Sequence, residues 1–187
     1  MTYPAVESAI DAAYWFLDKA EDEKCRLGES QVQNMLFMAQ MLFALAYNRE
    51  MLVPSMFICD ENGFSEPNLN KVLAQGRPFM PKTKLSPRIT EFMEEIWKKY
   101  ARIPAKELEF TVKNTPIYRE TFKKDTKTLL DFKSIVESLN KNSKMVNSDE
   151  ISERRKILLS QNGPVVVSKW HPRKVTAKTL KQGAKHV

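Results

Sequence analysis

The sequence predicts a mainly α fold: a compact multi-helix domain with a small β element, followed by a C-terminal helix and a basic tail. Apolar residues recur three and four apart through most of residues 6–139, which is the period of a helix that buries one face. One run rich in Phe, Ile and Val ends in an Asn-Gly turn and predicts the β element. At 187 residues and 42% hydrophobic, the chain can bury one sound core but is short for two full domains.

Two helices are predicted near the N-terminus. The first runs from about Pro4 to Ala20, because Pro4 suits an early helical position. The second runs from Ser30 to Glu50, and Ser30 with Gln33 forms the S-x-x-Q pattern of a capping box. Its body is apolar around most of its circumference, which predicts a helix in the middle of the core. Gln40 interrupts the apolar run, which is too short for a membrane span.

The middle of the chain changes from a β pattern back to helices. Residues 52–59 form a short apolar run before Asn62-Gly63, which predicts a strand or hairpin arm that covers the helical core. A short helix follows over residues 68–74 and is closed by Gly76. Ser86-Pro87 is a strong helix start, and that helix should run to about Ala101.

Shorter elements are predicted in the second half of the chain. A helix over residues 105–110 and a turn from Thr115-Pro116 toward residue 122 precede an amphipathic helix over residues 129–139. The last predicted helix starts at Asn147, where Glu150 completes a possible capping box, and it stops at residues 162–163. Residues 165–167 are three valines and predict a strand that can add to a sheet edge.

Three stretches carry a family resemblance. The string Q-N-M-L-F-M-A-Q at residues 33–40 is similar to the L-Q-K-L-L-Y-F-A-Q signature of the Panacea domain, the antitoxin SocA-like family. Residues 100–108 resemble that family's kyg-x-ls-x-x-x-L stretch, and residues 111–117 fall where members show T-H-x-x-x-P-W. Order and spacing agree over about residues 5–122, roughly two thirds of the chain.

The chain departs from the family pattern at three places. Val112 stands where the family has His, Ile117 stands where it has Trp, and residues 63–67 replace the usual W-x-x-G-P-V. The resemblance implies a protein that neutralises a toxin by direct contact, or that hands a bound protein to a protease as an adaptor.

Three parts are predicted along the chain. Residues 1–125 form the Panacea-like helical domain, residues 126–163 a C-terminal helical extension, and residues 164–187 a short strand with a basic tail. The net charge of +7 is uneven, because residues 154–187 hold nine Lys and Arg and no acid, whereas the preceding residues carry a net −2. Such a tail is attracted to phosphate or to an acidic protein surface, or it simply solubilises the chain end.

The sequence offers little for catalysis or for cofactors, so we expect a non-enzymatic protein with no catalytic residue, no cofactor and no metal. His171 and His186 both lie in the basic segment, and Cys25 and Cys59 are near no partner cysteine or histidine. No glycine-rich phosphate-binding motif is present. The N-terminus is an acidic amphipathic pattern rather than a signal peptide, so a cytoplasmic location is expected.

The expected function is protein–protein interaction, antitoxin-like or adaptor-like, with a toxin, a protease or an assembly subunit as the partner. The predicted contact residues are β-branched, aromatic or cationic: Val165, Val166, Val167, Lys169, Trp170, Arg173 and Lys174. Two alternatives stay open. The chain could instead be a structural or accessory subunit of a larger assembly, or it could bind nucleic acid by stacking a base on Trp170 among cations.

Overall fold

The computed structural model describes residues 3–75, 77–79, 81–141, 156–160 and 163–167. Contacts divide the chain into two units, Met1–Asn147 and Ser148–Val187. The described helices are α1 (Ala9–Asp22), α2 (Glu29–Ala46), α3 (Pro67–Ala74), α4 (Pro87–Tyr100), α5 (Ala105–Lys113), α6 (Pro116–Thr121) and α7 (Phe132–Lys141). The described strands are β1 (Phe57–Asp60), β2 (Gly63–Ser65), β3 (Thr128–Leu130), β4 (Lys156–Ser160) and β5 (Gly163–Val167). The predicted mainly α class with a small β element is confirmed.

Helix α2 is the centre of the first unit, as its apolar circumference predicts. All residues from Gln31 to Ala44 are buried, and α2 contacts α1, α3, α4, α5, α7 and β2. The Phe37 ring stacks on Phe64 of β2 with 3.8 Å between ring centroids, and it meets Phe57 of β1 edge-on at 5.4 Å. Helix and sheet therefore share one core. None of the described helices has the length and apolar character needed to cross a membrane.

Helix α1 begins later than the sequence predicts. Helix α1 starts at Ala9 because Ser8 caps it and accepts a hydrogen bond from the Ile10 N–H at 3.0 Å. The start predicted near Pro4 is wrong, since the N–H groups of Ala5 and Val6 donate to backbone carbonyls of residues 51 and 52.

The capping box predicted for α2 is also wrong. The N-cap position of α2 is Gly28, and Ser30 lies inside the helix. The Gln33 side chain does not reach back to Ser30, because it is hydrogen-bonded to the backbone of Glu66. The helix also ends four residues before the predicted Glu50, where Asn48 and Arg49 take left-handed backbone conformations.

The small sheet is antiparallel with strand order β2-β1-β3. The predicted hairpin is confirmed: Asp60 of β1 pairs with Gly63 of β2, and Glu61 and Asn62 form the turn between them. Gly63 has φ +116°, and a Cβ there would lie 2.7 Å from Asn34 Oδ1 of α2, so only glycine fits. Leu129 pairs with Ile58 in the sheet, so the helix predicted over residues 129–139 is wrong at its start and begins only at Phe132.

The remaining helices of the first unit follow the sequence closely. Helices α3 and α4 lie where predicted, and Thr115 caps α6 by accepting a hydrogen bond from the Tyr118 N–H. Helix α5 extends to Lys113, beyond the predicted residue 110. Gly76, predicted to close α3, lies outside the described residues. Strand β3 and helix α7 lie in the same unit as residues 3–125, because β3 pairs with β1 and α7 contacts α6 and α2.

The second unit contains the antiparallel pair β4 and β5. The strand predicted at Val165–Val167 is confirmed within β5. The helix predicted from Asn147 to Asn162 is wrong over Lys156–Ser160, which is strand β4, and its predicted start lies outside the described residues. Pairing of Ile157 with Val166 overrides the helical spacing of the local sequence.

Candidate partner-binding site

An open cleft of about 690 Å³ lies between the segment that follows α2 and the first turns of α7. We call it the α2–α7 cleft. One wall is formed by residues 49–56 and the other by residues 131–136. The lining residues are Arg49, Met51, Pro54, Ser55, Met56, Asp131, Phe132, Lys133 and Val136.

The first wall is held in an extended path by contacts to α2 and α7. The Val53 N–H donates to Gln40 Oε1 at 2.9 Å, and the Ser55 N–H donates to the Val53 carbonyl at 3.0 Å, which turns the chain at Pro54. Arg49 Nε donates to Asn140 Oδ1 of α7 at 3.0 Å. The two walls are therefore tied together at one end of the cleft.

The second wall is the N-terminal half of α7. Asp131 begins this helix, because its Oδ1 accepts a hydrogen bond from the Ser134 N–H at 2.8 Å. The hydrogen bonds from Ser134, through its side chain and its backbone, hold the pKa of the Asp131 carboxyl below 3.8. Ile135 is fully buried on the core side, whereas Phe132 and Val136, one turn apart, are not buried and line the cleft.

The apolar surface of the cleft continues onto the outer face of the sheet. Met56 is 49% exposed and lies two residues before Ile58, so the strand alternation gives both residues the same face. Leu129 of β3, directly opposite Ile58, is 61% exposed. One exposed apolar surface therefore continues from the cleft through Met56 and Ile58 to Leu129 of β3. Such a surface is typical of a site that binds another protein.

The edges of the cleft carry two cations. Lys133 is exposed and lies 3.8 Å from Glu137 one turn along α7. No ion pair joins Arg49 to a carboxylate in the described part of the chain, and its hydrogen bonds go to neutral oxygens of Asn140 and Ala44. The Asp131 carboxylate is engaged in capping α7. A partner that brings its own carboxylates to Arg49 would meet a complementary charge.

Two observations on the described residues of the first unit concern metal binding and thiol chemistry. No group of three or more His, Cys, Asp or Glu side chains that could hold a metal occurs in the described ranges. Burial and the neighbouring Asp60 charge raise the pKa of the Cys59 thiol to about 12, which removes its nucleophilic form at neutral pH. Both histidines, His171 and His186, lie outside the described residues.

The contact residues predicted from sequence fall in two places. Val165, Val166 and Val167 lie in β5, opposite Leu158, Ile157 and Lys156 of β4. The other predicted contact residues lie outside the described residues: Lys169, Trp170, Arg173 and Lys174.

The residues that carry the family resemblance have structural roles in this fold. Gln33 and Gln40, at the two ends of the quoted string, are buried and hold the backbones of Glu66 and Val53. Val112 and Ile117, which replace the family's His and Trp, are buried apolar core residues. Neither position therefore offers a hydrogen-bonding side chain to a partner.

The α2–α7 cleft was not predicted from the sequence. Phe132 and Val136 belong to the same amphipathic pattern as Ile135 and Leu139, which suggests one buried face. The available signal was the width of this apolar stripe, which exceeds what one short helix at the edge of a core can bury. Comparison with family models, curated proteins and solved structures found no match to this chain.

Proposed function

We propose that this chain is a non-enzymatic protein-binding module, antitoxin-like or adaptor-like, that binds an acidic partner protein through the α2–α7 cleft. The observation that carries the proposal is the exposed apolar surface of the cleft, bordered by Arg49 and Lys133. The resemblance to the SocA-like family supports the choice of an antitoxin or adaptor over other binding proteins. A cytoplasmic location belongs to the same proposal.

The partner segment is apolar along its centre and carries carboxylates at its edges. Met51 and Met56 are flexible, polarisable side chains that adapt to the shape of an inserted group. Phe132 supplies a rigid aromatic contact. Burial of these groups drives binding, and the carboxylates select the partner and its orientation.

The basic segment after residue 153 serves the same partner in this proposal. Its nine Lys and Arg, with no acid, attract an acidic surface over a distance of about 8 Å at physiological salt. Val165, Val166, Val167 and Trp170 then add apolar contacts, and Lys169, Arg173 and Lys174 steer the encounter.

The test starts with affinity purification of the full-length chain from its native cells. A single small protein that is toxic when expressed alone supports the antitoxin form, and a protease with a client supports the adaptor form. A fixed set of subunits would replace both with the assembly alternative. The recovered partner is then purified for the binding measurements.

Binding is measured with Val136→Glu, which places a negative charge in the cleft beside the acidic partner. We expect at least a tenfold loss of affinity with little change in the thermal midpoint, since Val136 is only half-buried. The matched control is Ile103→Glu, a half-buried apolar residue between α4 and α5 that does not line the cleft and should bind like wild type. Equal affinities for both variants would exclude the cleft as the binding site.

Nucleic-acid binding is the second candidate, favoured by Trp170 among the cations of the acid-free segment. This function predicts an affinity for a short single-stranded oligonucleotide that falls steeply with salt. Trp170→Ala should weaken it through lost stacking, whereas Val136→Glu should leave it unchanged. Recovery of nucleic acid alone from native cells would favour this candidate over protein binding.

A further inference from the structure

The described residues between α3 and α4 present one aromatic side chain, Phe79, to solvent. We call residues 77–79 and 81–83 the Phe79 loop. We infer that this loop is a second protein-binding element, in which Phe79 is the anchor for an apolar pocket edged by carboxylates on a partner protein. The inference does not rest on the α2–α7 cleft.

The loop is fastened to α1 by one carboxylate. Asp18 accepts hydrogen bonds from Arg77 Nε at 2.8 Å, from Arg77 Nη2 at 3.1 Å and from the Thr83 N–H at 2.9 Å. The side chains of Asp18 and Arg77 are only 10% and 16% exposed. This two-pronged geometry is the strong form of an Arg–carboxylate pair, so both ends of the loop are fixed at one point of α1.

The same guanidinium also shapes the loop from inside. Arg77 donates to the carbonyl oxygens of Pro78 at 3.1 Å and Pro81 at 3.2 Å, and it lies over the Tyr14 ring at 4.5 Å. The two prolines restrict the backbone further, because their φ angles are fixed near −65°. A loop that is attached near both ends gives up less conformational entropy when it binds than a free one does.

The Phe79 side chain is exposed to solvent, unlike the phenylalanines of the core. Its relative exposure is 111%, which is full exposure, whereas Phe16, Phe37, Phe43, Phe57 and Phe64 are buried in the core. An exposed aromatic side chain is a typical anchor of a protein interface, since it buries a large area when it binds. The geometry therefore resembles a binding loop rather than a packing defect.

The charges around the loop indicate the chemistry of the partner. Residues 67–90 contain five Lys and Arg and no acid. Three of these cations pair with carboxylates elsewhere in the fold: Arg77 with Asp18, Lys82 with Asp22, and Arg88 with Glu50. No ion pair joins Lys71 or Lys84 to a carboxylate of the described residues, so these two remain available for acidic groups at the edge of the partner's pocket.

The first experiment places a photo-cross-linking phenylalanine analogue at position 79 of the full-length chain in its native cells. The matched position is Phe110 on α5, which is 67% exposed and lies outside the loop. We expect one protein to be cross-linked from position 79 and not from position 110, through a peptide that contains apolar and acidic residues. Absence of a specific adduct, or identical adducts from both positions, would overturn the inference.

The cross-linked protein is then expressed, purified and used as the probe in direct binding measurements. Phe79→Ala should lower its affinity at least tenfold, and Phe110→Ala should leave it unchanged, with both variants unfolding at the wild-type temperature. An unchanged affinity for Phe79→Ala would refute the anchor role. Val136→Glu should lower the affinity for this protein only if the same protein also occupies the α2–α7 cleft. The Phe79→Ala and Val136→Glu variants therefore test the loop and the cleft separately.

Asp18 is a positioning residue in this account, because it acts through the loop. Asp18→Asn should weaken binding of the probe in the wild-type chain but have no further effect once Phe79 is already alanine. Additive losses of affinity in the double variant would mean that Asp18 affects binding by another route and would contradict the positioning role.

Discussion

Helices α1 and α2 both hold extended segments of the chain, but they use different chemistry. Helix α2 uses neutral amides: Gln33 binds the backbone of Glu66, and Gln40 accepts a hydrogen bond from the backbone of Val53. Helix α1 uses the Asp18 carboxylate, which binds Arg77 and the Thr83 N–H. The segments held by α2 are the junction between β2 and α3 and one wall of the cleft, and the segment held by α1 presents Phe79.

This difference in chemistry decides which of the contacts made by α1 and α2 respond to pH. Amide contacts do not titrate, so the attachments made by α2 should be independent of pH. Burial raises the pKa of the Asp18 carboxyl, but the hydrogen bonds from Arg77 and Thr83 and the Arg77 charge lower it more, so the pKa lies below 3.8. The Phe79 loop is therefore attached to α1 by a contact that acid weakens, whereas the contacts of Gln33 to Glu66 and of Gln40 to Val53 involve amides that do not titrate.

The largest effect is expected for Gln33→Leu. Gln33 Nε2 donates to the Glu66 carbonyl at 3.2 Å and to Asn70 Oδ1 at 2.9 Å, and Gln33 Oε1 accepts from the Glu66 N–H at 2.8 Å. Leucine leaves the buried Glu66 N–H without a partner and also removes the hydrogen bonds to the Glu66 carbonyl and to Asn70, so the free energy of unfolding should fall by about 3 kcal/mol. Urea denaturation measures this loss.

The control for Gln33→Leu is Gln75→Leu, an exposed glutamine at the end of α3. This control should change the free energy of unfolding by no more than about 0.5 kcal/mol. A loss below about 1 kcal/mol for Gln33→Leu would show that the amide contacts of α2 contribute little.

A slightly smaller effect is expected for Gly63→Ala, at the point where the hairpin touches α2. Alanine is strained at φ +116°, and its Cβ would meet Asn34 Oδ1 at 2.7 Å, so the free energy of unfolding should fall by about 2 kcal/mol. Gly28→Ala is the control, because nothing lies within 4 Å of a Cβ there and its φ is negative. Equal thermal midpoints for the two variants would contradict the described approach of β2 to α2.

The smallest effect is expected for Asp18→Asn, and it should depend on pH. The lowered pKa of Asp18 stabilises the fold above the unfolded pKa near 3.8, and this contribution is lost as the pH falls through the lower, folded value. The free energy of unfolding of the wild type should exceed that of Asp18→Asn by about 1 kcal/mol at pH 7, and this difference should become smaller in acid. Urea denaturation over a pH series measures the gap.

The pH series sharpens the comparison when Gln33→Leu is included. The loss in free energy of unfolding caused by Gln33→Leu should stay constant with pH, because this substitution removes no titrating group. A deficit of Asp18→Asn that also stays constant would show that the loop is held by something other than the ionised carboxylate.

Most helices could be predicted from sequence because their signals are local. The α4 helix shows this well, since Ser86-Pro87 marks its start and its apolar stripe matches the buried face. The start of α6 is equally local, because Thr115 accepts the hydrogen bond expected of a cap. The Asn62-Gly63 turn likewise predicted the β1–β2 hairpin.

The errors occur where a distant partner competes with a local pattern. The capping box at Ser30 fails because Gln33 binds Glu66, 33 residues further along the chain. Leu129 belongs to β3 because β1 supplies a pairing strand, and Ile157 belongs to β4 because β5 does. Helical spacing at these positions is overridden by backbone pairing that the local sequence does not contain.

The sequence by itself determined the class of fold, the central place of α2 and the uneven charge, since periodicity and composition are properties of neighbouring residues. Only the tertiary structure decided the α2–α7 cleft and the Phe79 loop. Arg49 and Asn140 lie 91 residues apart, and Asp18 and Arg77 lie 59 residues apart. Their contacts arise when the core brings remote elements together, so no local pattern of residues could reveal them.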